Sequence, residues 1–368
     1  MIVAAVPVVA PAHAKEPADS LRVATFNVNL SRRGPGLLLR DLLRGDPAAE
    51  SVARIVATVA PDVLLLTKFD HDHGLVALNA FADLVRAQGH DLPHLFAVRP
   101  NSGRQTGMDM IGDGRVNTPD DAQGYGAFAG VAGMALMSRL PVDHAEVRDF
   151  SAFLWRDLPG ARLPQQAGQP FPSAQVFDVQ RLSTTAHWEV PLILPDGGVL
   201  RVLGWYASPP VFGGREGRNR LRNHDETMFW VYLLDGVLGM APPQEPFVLM
   251  GDSNLDPYDG DGIHDAMRRL LAHPAVQDPA PRSAGALAAH VAGDRPRRGD
   301  PALHTTEWTR EGGPGNLRVD YVLPSVGLPV LDAGVFWPEP GDPEHAMLGD
   351  PADPPTRHRL VWVDIALP

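Results

Sequence analysis

Residues 21–27, LRVATFN, and residues 61–66, PDVLLL, settle how the chain is read. The first stretch alternates in strand fashion and stops at the polar Asn27, while the second is an unbroken apolar run of strand length. Between them, residues 48–59 carry apolar side chains at helical spacing. Strand, helix and buried strand in succession open an α/β architecture, in which functional side chains gather at strand ends. The second strand runs out at Thr67, Lys68, Phe69 and Asp70, before a helix near 74–88.

Further along, residues 99–130 are rich in Gly, Asp and Asn and read as a long loop, after which GMALMS (133–138) resumes a strand. Strands are expected near 143–150, 185–193 and 199–206, and 156–180 shows no clear period. The stretch 209–226, PPVFGGREGRNRLRNHDE, reads as irregular and leads into an amphipathic helix over 225–238. A short buried strand, PFVLM (246–250), then runs into Gly251, Asp252, Ser253 and Asn254. A helix near 263–272, a Pro- and Gly-rich loop over 278–316 and strands at 317–323 and 360–365 follow. No segment repeats at a fixed period. Mixed strands and helices with long loops point to stacked sheets covered by helices.

The chain has 368 residues and no stretch that cuts it in half, so a single domain over 15–368 is expected. An apolar content of 44% supports a sizeable core, and no apolar run approaches membrane-spanning length. The absence of cysteine excludes disulfides, thiolate metal sites and thiol nucleophiles. A formal charge of −12 repels nucleic-acid backbones, so strong nucleic-acid binding is not expected without a local basic patch. At the start, residues 1–14 are largely apolar and end in Ala12, His13 and Ala14, the small-x-small pattern that a signal peptidase reads. Cleavage after Ala14, with Lys15 opening a secreted or periplasmic protein, is the expectation. Such a leader also carries a basic n-region, which is missing here; an upstream start or a plain apolar arm are the alternatives.

Polar residues at the ends of the expected strands are the candidates for chemistry: Asn27, Lys68, Tyr206, Asp252 with Asn254, Asp320, and Arg357 with His358. Asp252 and Asn254 lie two apart, so an extended strand exit puts them on one side. A carboxylate there orients or deprotonates water and an amide holds a phosphoryl oxygen, although GDSN taken alone reads first as an ordinary Asx turn. Asp320 and His358 suit a pair in which the carboxylate fixes the imidazole tautomer, or a structural ion pair. Arg215, Arg218, Arg220 and Arg222 form a cationic stretch able to hold phosphate, with Glu216, Asp225 and Glu226 near enough to pair with it internally. Two acidic loops, Asp109 with Asp113 and Asp256 with Asp259 and Asp261, lack the spacing and terminal Glu of a calcium loop and read as surface turns. Asp70, His71, Asp72 and His73 are metal-ligand types, but adjacent side chains diverge on a strand or a helix.

Six stretches in order make the chain resemble the endonuclease/exonuclease/phosphatase superfamily, which includes the deoxyribonuclease-I-like nucleases. They are ATFNVNL (24–30), PDVLLLTKFDHD (61–72), GMALMSRLPV (133–142), FVLMGDSNLDP (247–257), NLRVDYVLP (316–324) and TRHRLVWVDI (356–365). The loops FLWRDLPGARLP (153–164) and 209–226 look like those of a secreted bacterial branch. This resemblance implies a four-layer α/β sandwich, two packed mixed sheets flanked by helices, and divalent-metal-dependent cleavage of phosphate esters. It also implies that Asn27 is a metal-proximal Asn, that Asp252 and Asn254 orient water and phosphate, and that Asp320 and His358 form the Asp–His pair.

Three positions depart from that pattern. Lys68 stands where the superfamily usually has a metal-binding Glu, Tyr206 where it has a catalytic His, and Arg357 where it has an Asp beside the last His. Two of these changes reverse a charge, so Asp252 and Asp320 are expected to balance Lys68 and Arg357 without a metal. An ammonium about 5 Å from a divalent ion, at an effective dielectric of about 20, costs roughly 7 kcal/mol. The leading expectation is a pseudoenzyme that needs no cofactor and binds phosphate or a phosphorylated small molecule through Lys68, Arg357 and the 215–222 arginines. An active phosphoesterase using magnesium, manganese or calcium on relocated ligands such as Asp70 or Asp72 is the second reading, and a protein-binding module the third.

Overall fold

The computed structural model describes residues 20–293, 295–309 and 312–367; the expected leader over 1–14 and the start at Lys15 lie outside the described residues. The first half of the fold runs β1 (Ser20–Leu30), α1 (Leu37–Leu43), α2 (Pro47–Val59), β2 (Val63–Phe69), α3 (Val76–Ala87), β3 (His94–Phe96), β4 (Gly133–Ser138) and β5 (Arg148–Asp149). A small ribbon, β6 (Gln165–Gln166) with β7 (Gln169–Pro170), and a short helix α4 (Ala174–Phe177) fill the interval that lacks a clear period. The second half runs β8 (Ala186–Ile193), β9 (Val199–Tyr206), α5 (Arg218–Leu234), β10 (Phe247–Asp252), α6 (Asp265–Leu271), α7 (Ala284–Gly293), β11 (Asp320–Pro324), β12 (Val330–Val335) and β13 (Val361–Ala366).

Eleven of these strands form two sheets, ordered β12-β13-β1-β2-β4-β3 and β11-β10-β9-β8-β5. Side-chain alternation sorts each strand between two cores. Val23, Val63, Leu65, Val202, Val248 and Met250 pack in the layer between the sheets. Their neighbours Ala24, Phe26, Leu64 and Leu66 pack with buried residues of α1, α2 and α3, and Leu203, Trp205, Phe247 and Leu249 pack with those of α5 and α6. Strands buried on both faces read as continuous apolar runs, which is why 61–66 and 246–250 do. The result is the expected four-layer α/β sandwich. Among the described residues no helix is long and apolar enough to cross a membrane.

The same alternation carries the inter-sheet face past its apolar part. Counting in twos from Val23, Leu65, Val202, Met250 and Val322 brings Asn27, Thr67, Tyr206, Asp252 and Asp320 onto the face shared by the two sheets. Core and polar cluster are thus one pattern read along each strand.

Besides β6, β7 and α4, four elements lie outside the expected ones: helix α1, strand β3, helix α7 and strand β12 fall where the sequence has no clean period or reads as loop. Helix α5 begins at Arg218, inside the stretch expected to be irregular, because its first turns bury Arg222, Asn223, His224, Asp225, Glu226 and Thr227. A helix whose interior face is polar shows no apolar stripe. The strand expected at 143–150 shrinks to Arg148–Asp149.

Candidate functional site

Tyr206, Asp252 and Asp320 stand side by side in one register row across β9, β10 and β11. From the facing sheet, Asn27 donates its Nδ2 to Asp252 Oδ2 at 2.8 Å, and the Asn254 backbone N–H donates to Asp252 Oδ1 at 2.9 Å. His358, just before β13, sets Nδ1 2.9 Å from Asp320 Oδ2 and 3.9 Å from Asp252 Oδ2. Thr305 donates its hydroxyl to Asp320 Oδ2 at 2.7 Å, and Thr356 donates to the Asn27 carbonyl at 2.7 Å while accepting the His358 N–H. Trp308 closes over the imidazole edge-on, with ring centroids 5.3 Å apart. Asn27, Asp252, Asn254, Asp320 and His358, separated by up to hundreds of residues in sequence, are therefore brought together as expected. Thr305 and Trp308 were not legible beforehand, since both lie in the Pro- and Gly-rich stretch 278–316, which offers no periodic signal.

Burial sets the electrostatics here. Burial and then the neighbouring Asp320 charge push the Asp252 carboxyl up to about 7, against the pull of His358 and the Asn27 hydrogen bond. Burial works to lower the His358 imidazole, but the charges of Asp320 and Asp252 outweigh it and hold the ring above its ordinary value. For Tyr206, burial and the Asp252 charge push the hydroxyl up, so it stays protonated as a donor. One ligand atom each from Asp252, Asp320 and His358 lie within 4.8 Å of one another.

Lys68 sits on a bulge. The pairing of β2 slips at this residue against both β1 and β4, and its φ is 59°, in the left-handed region. Such bulges re-aim a side chain, and non-glycine residues held at positive φ mark places where the surrounding fold imposes the conformation. Lys68 makes no hydrogen bond or ion pair among the described residues; burial lowers its amine below the usual lysine range, and the Asp252 charge opposes that. With Tyr206 it lines a cleft of about 650 Å³, whose other walls include Ala132, Thr184, Ser208, Phe212 and Arg218.

A strand-end constellation of this kind on a four-layer sandwich meets its match in the sequence comparison, where residues 24–358 fit the model of the Endonuclease/Exonuclease/phosphatase family. The chain belongs to that family. No curated protein matches the chain. Among solved structures it is similar to an endonuclease/exonuclease/phosphatase from Beutenbergia cavernae, at 18% identity and a TM-score of 0.55 over 95% of this chain and 72% of that one. A family protein from Bacteroides thetaiotaomicron superposes at 12% identity and a TM-score of 0.51 over 95% and 98% of the two chains. Sphingomyelinase C from Streptomyces griseocarneus gives 15% identity and a TM-score of 0.48 over 94% and 99%. At these identities the likeness is one of fold.

Several expectations for this endonuclease/exonuclease/phosphatase family member need correction. Arg357 does not face Asp320: its guanidinium reaches the carbonyls of Glu307 and Pro351 at 3.4 Å, so Lys68 alone of the two new cations faces the carboxylates. The four arginines do not form one phosphate site. Arg222 is buried and spends its guanidinium on the carbonyls of Leu182, Gln123, Arg181 and Ser183, and burial lowers it to about 10. Arg218 lines the cleft but donates to the Met110 carbonyl at 3.0 Å, and Arg215 and Arg220 are exposed outside the cleft lining.

Relocated metal ligands fare no better. Asp70 accepts from Ser31 Oγ and from the backbone N–H groups of Arg32 and Ala132, all at 2.7–2.8 Å. Asp72 caps α3 through the N–H groups of Val76 and Ala77. The acidic loop at Asp109 is a surface turn, as expected, its carboxylate accepting four backbone N–H groups between Ile111 and Gly114, whereas Asp256 is buried and accepts those of Tyr258, Asp259 and the distant Arg318.

Proposed function

We propose that this family member binds a phosphate ester in its cleft through Lys68, which supplies the positive charge in place of a divalent ion, and that metal-dependent hydrolysis is absent or strongly impaired. The observation that carries this reading is an ammonium with no hydrogen bond or ion pair among the described residues, re-aimed by a bulge beside a buried carboxylate and facing a cleft of ligand size. An arriving phosphate restores the charge that burial disfavours on Lys68, and the Tyr206 hydroxyl stands beside it as a neutral donor.

The family resemblance implies a divalent cation, and the residues present do not fit one. Both Asp252 oxygens are engaged by Asn27 and Asn254, and Asp320 accepts from Thr305 and pairs with His358 Nδ1. The residue at the place of the metal-binding Glu is a cation. Asp252, Asp320 and His358 are close enough to share an ion, but the Lys68 ammonium beside Asp252 repels one.

The test is calorimetric titration with inorganic phosphate in the presence of a chelator. Binding at millimolar phosphate, lost in Lys68→Met, is expected. No heat at that concentration overturns the reading and leaves a protein-binding role for the fold. So does hydrolysis of a chromogenic phosphodiester with magnesium, manganese or calcium at a rate matching that of the triple variant Lys68→Glu, Tyr206→His, Arg357→Asp. Export with cleavage after Ala14 is a separate proposal, supported by the small-x-small pattern and checked by the mass of the mature protein.

A further inference from the structure

The cleft is wider than a phosphate needs, and its polar lining is largely committed. Thr184 and Ser208 donate their hydroxyls to the buried Glu226, and Ser31 donates to Asp70. Two large aromatic side chains among its lining residues are instead left open: Tyr125 is 71% exposed and Phe212 is 88% exposed.

Neither ring is on a loose loop. Tyr125 sits between Gly124 and Gly126, where a Cβ at 124 would lie 1.8 Å from the Thr184 carbonyl oxygen and one at 126 would lie 2.3 Å from Val131 Cγ1. The backbone on both sides of Tyr125 is thus packed too closely for any side chain, and hydrogen bonds from Gly103 to the Gly124 carbonyl and from Gly126 to the Pro119 carbonyl pin it. Phe212 is fixed on either side as well. Asn219 Nδ2 holds the Val211 carbonyl at 2.8 Å and the Arg218 N–H holds the Gly213 carbonyl at 3.0 Å. Its φ is 65°, so a bulky residue occupies the left-handed region, as Lys68 and Ala132 also do in this same cleft. Backbone strain of this kind gathers where a fold presents a group to a ligand. A ring held on a rigid backbone also loses little freedom on binding, which favours its use as a stacking platform.

We propose that the ligand is a small phosphate monoester carrying a planar ring, with its phosphate on Lys68 and its ring against Phe212 and Tyr125. This inference rests on the phosphate reading given above. A polyanionic strand is disfavoured by the charge of −12, and the cleft volume of about 650 Å³ suits a single small molecule.

The experiment titrates the full chain, in chelator, with AMP, with ribose 5-phosphate and with inorganic phosphate. Aromatic stacking predicts that AMP binds roughly tenfold or more tightly than ribose 5-phosphate. The double variant Phe212→Ala, Tyr125→Ala should bring AMP down to the level of ribose 5-phosphate, and Phe212→Tyr should keep the preference. Both substituted side chains are exposed, and the circular dichroism of each variant checks that it folds. Equal affinity for AMP and ribose 5-phosphate overturns the ring inference and leaves the phosphate reading standing, as does a preference for AMP that survives the double substitution. Silence from all three ligands removes the phosphate reading and this inference with it.

Discussion

Replacing Asp252 by Asn tests the electrostatics of the cluster most directly. The Asp252 carboxyl is raised from 3.8 to about 7, first by burial and then by Asp320. An acid whose folded pKa lies above its unfolded value binds more protons when folded, so its stability contribution is full at low pH and is lost as pH rises from the unfolded towards the folded pKa. About three pH units at about 1.4 kcal/mol each make roughly 4 kcal/mol, lost between about pH 4 and about pH 7. Asn has the shape of the protonated acid and, like it, offers one acceptor where the carboxylate offers two. The variant and its parent should therefore lie within about 1 kcal/mol of each other near pH 4, with the variant the more stable by roughly 4 kcal/mol near pH 8. Urea unfolding of both proteins at the two pH values reads this difference. Groups that titrate elsewhere, such as His187, held at about 4 by burial, cancel between the two proteins. A variant that is less stable by the same amount at both pH values would mean that Asp252 is ionised throughout, with Lys68 and His358 outweighing burial and Asp320, and the reasoning would fail.

Because burial lowers the Lys68 amine, phosphate binding should take up a proton at alkaline pH, and affinity should fall as pH rises; calorimetry in buffers of different ionisation enthalpy reads the uptake. In Asp320→Asn the His358 imidazole loses its main supporting charge, so its pKa should fall in an NMR titration. Arg222→Met leaves four carbonyls without their guanidinium and should cost about 3 kcal/mol in urea unfolding, whereas Arg215→Ala, on the exposed loop, should stay within about 0.5 kcal/mol of the parent.

The sandwich was legible because its strands are buried on both faces and so announce themselves as apolar runs that end in polar residues. Asn27, Asp252 and Asp320 could be picked out for the same reason: each is a polar side chain at the end of a largely apolar inter-sheet face. What the sequence hid is what carries no period. The first turns of α5 bury a polar face, which made Arg222 look like a surface cation when it is an internal brace for four carbonyls. Arg357 was expected to balance Asp320 because it stands where the superfamily has an Asp, but successive residues of an extended segment point to opposite sides, and its guanidinium accordingly lies along the chain near Glu307 and Pro351. Tyr125 and Phe212 could not be distinguished from ordinary loop aromatics until the glycine contacts and backbone angles around them were fixed.

Five residues that match an active family member are therefore weaker support for catalysis than they look. Asn27 lies in one sheet and His358 just before its strand β13, and Asp252 and Asp320 lie in the other sheet, so the hydrogen bonds among them tie the two sheets together at one end of the sandwich. Truncating Asn27 or His358 would strand a buried carboxylate, which is costly whatever the protein does. Their presence is accounted for by structure alone. Lys68 has no such account: it braces nothing, burial works against its charge, and the bulge that carries it holds a conformation disfavoured for its residue type. Of all the residues around the cluster, it is the one whose presence calls for a ligand.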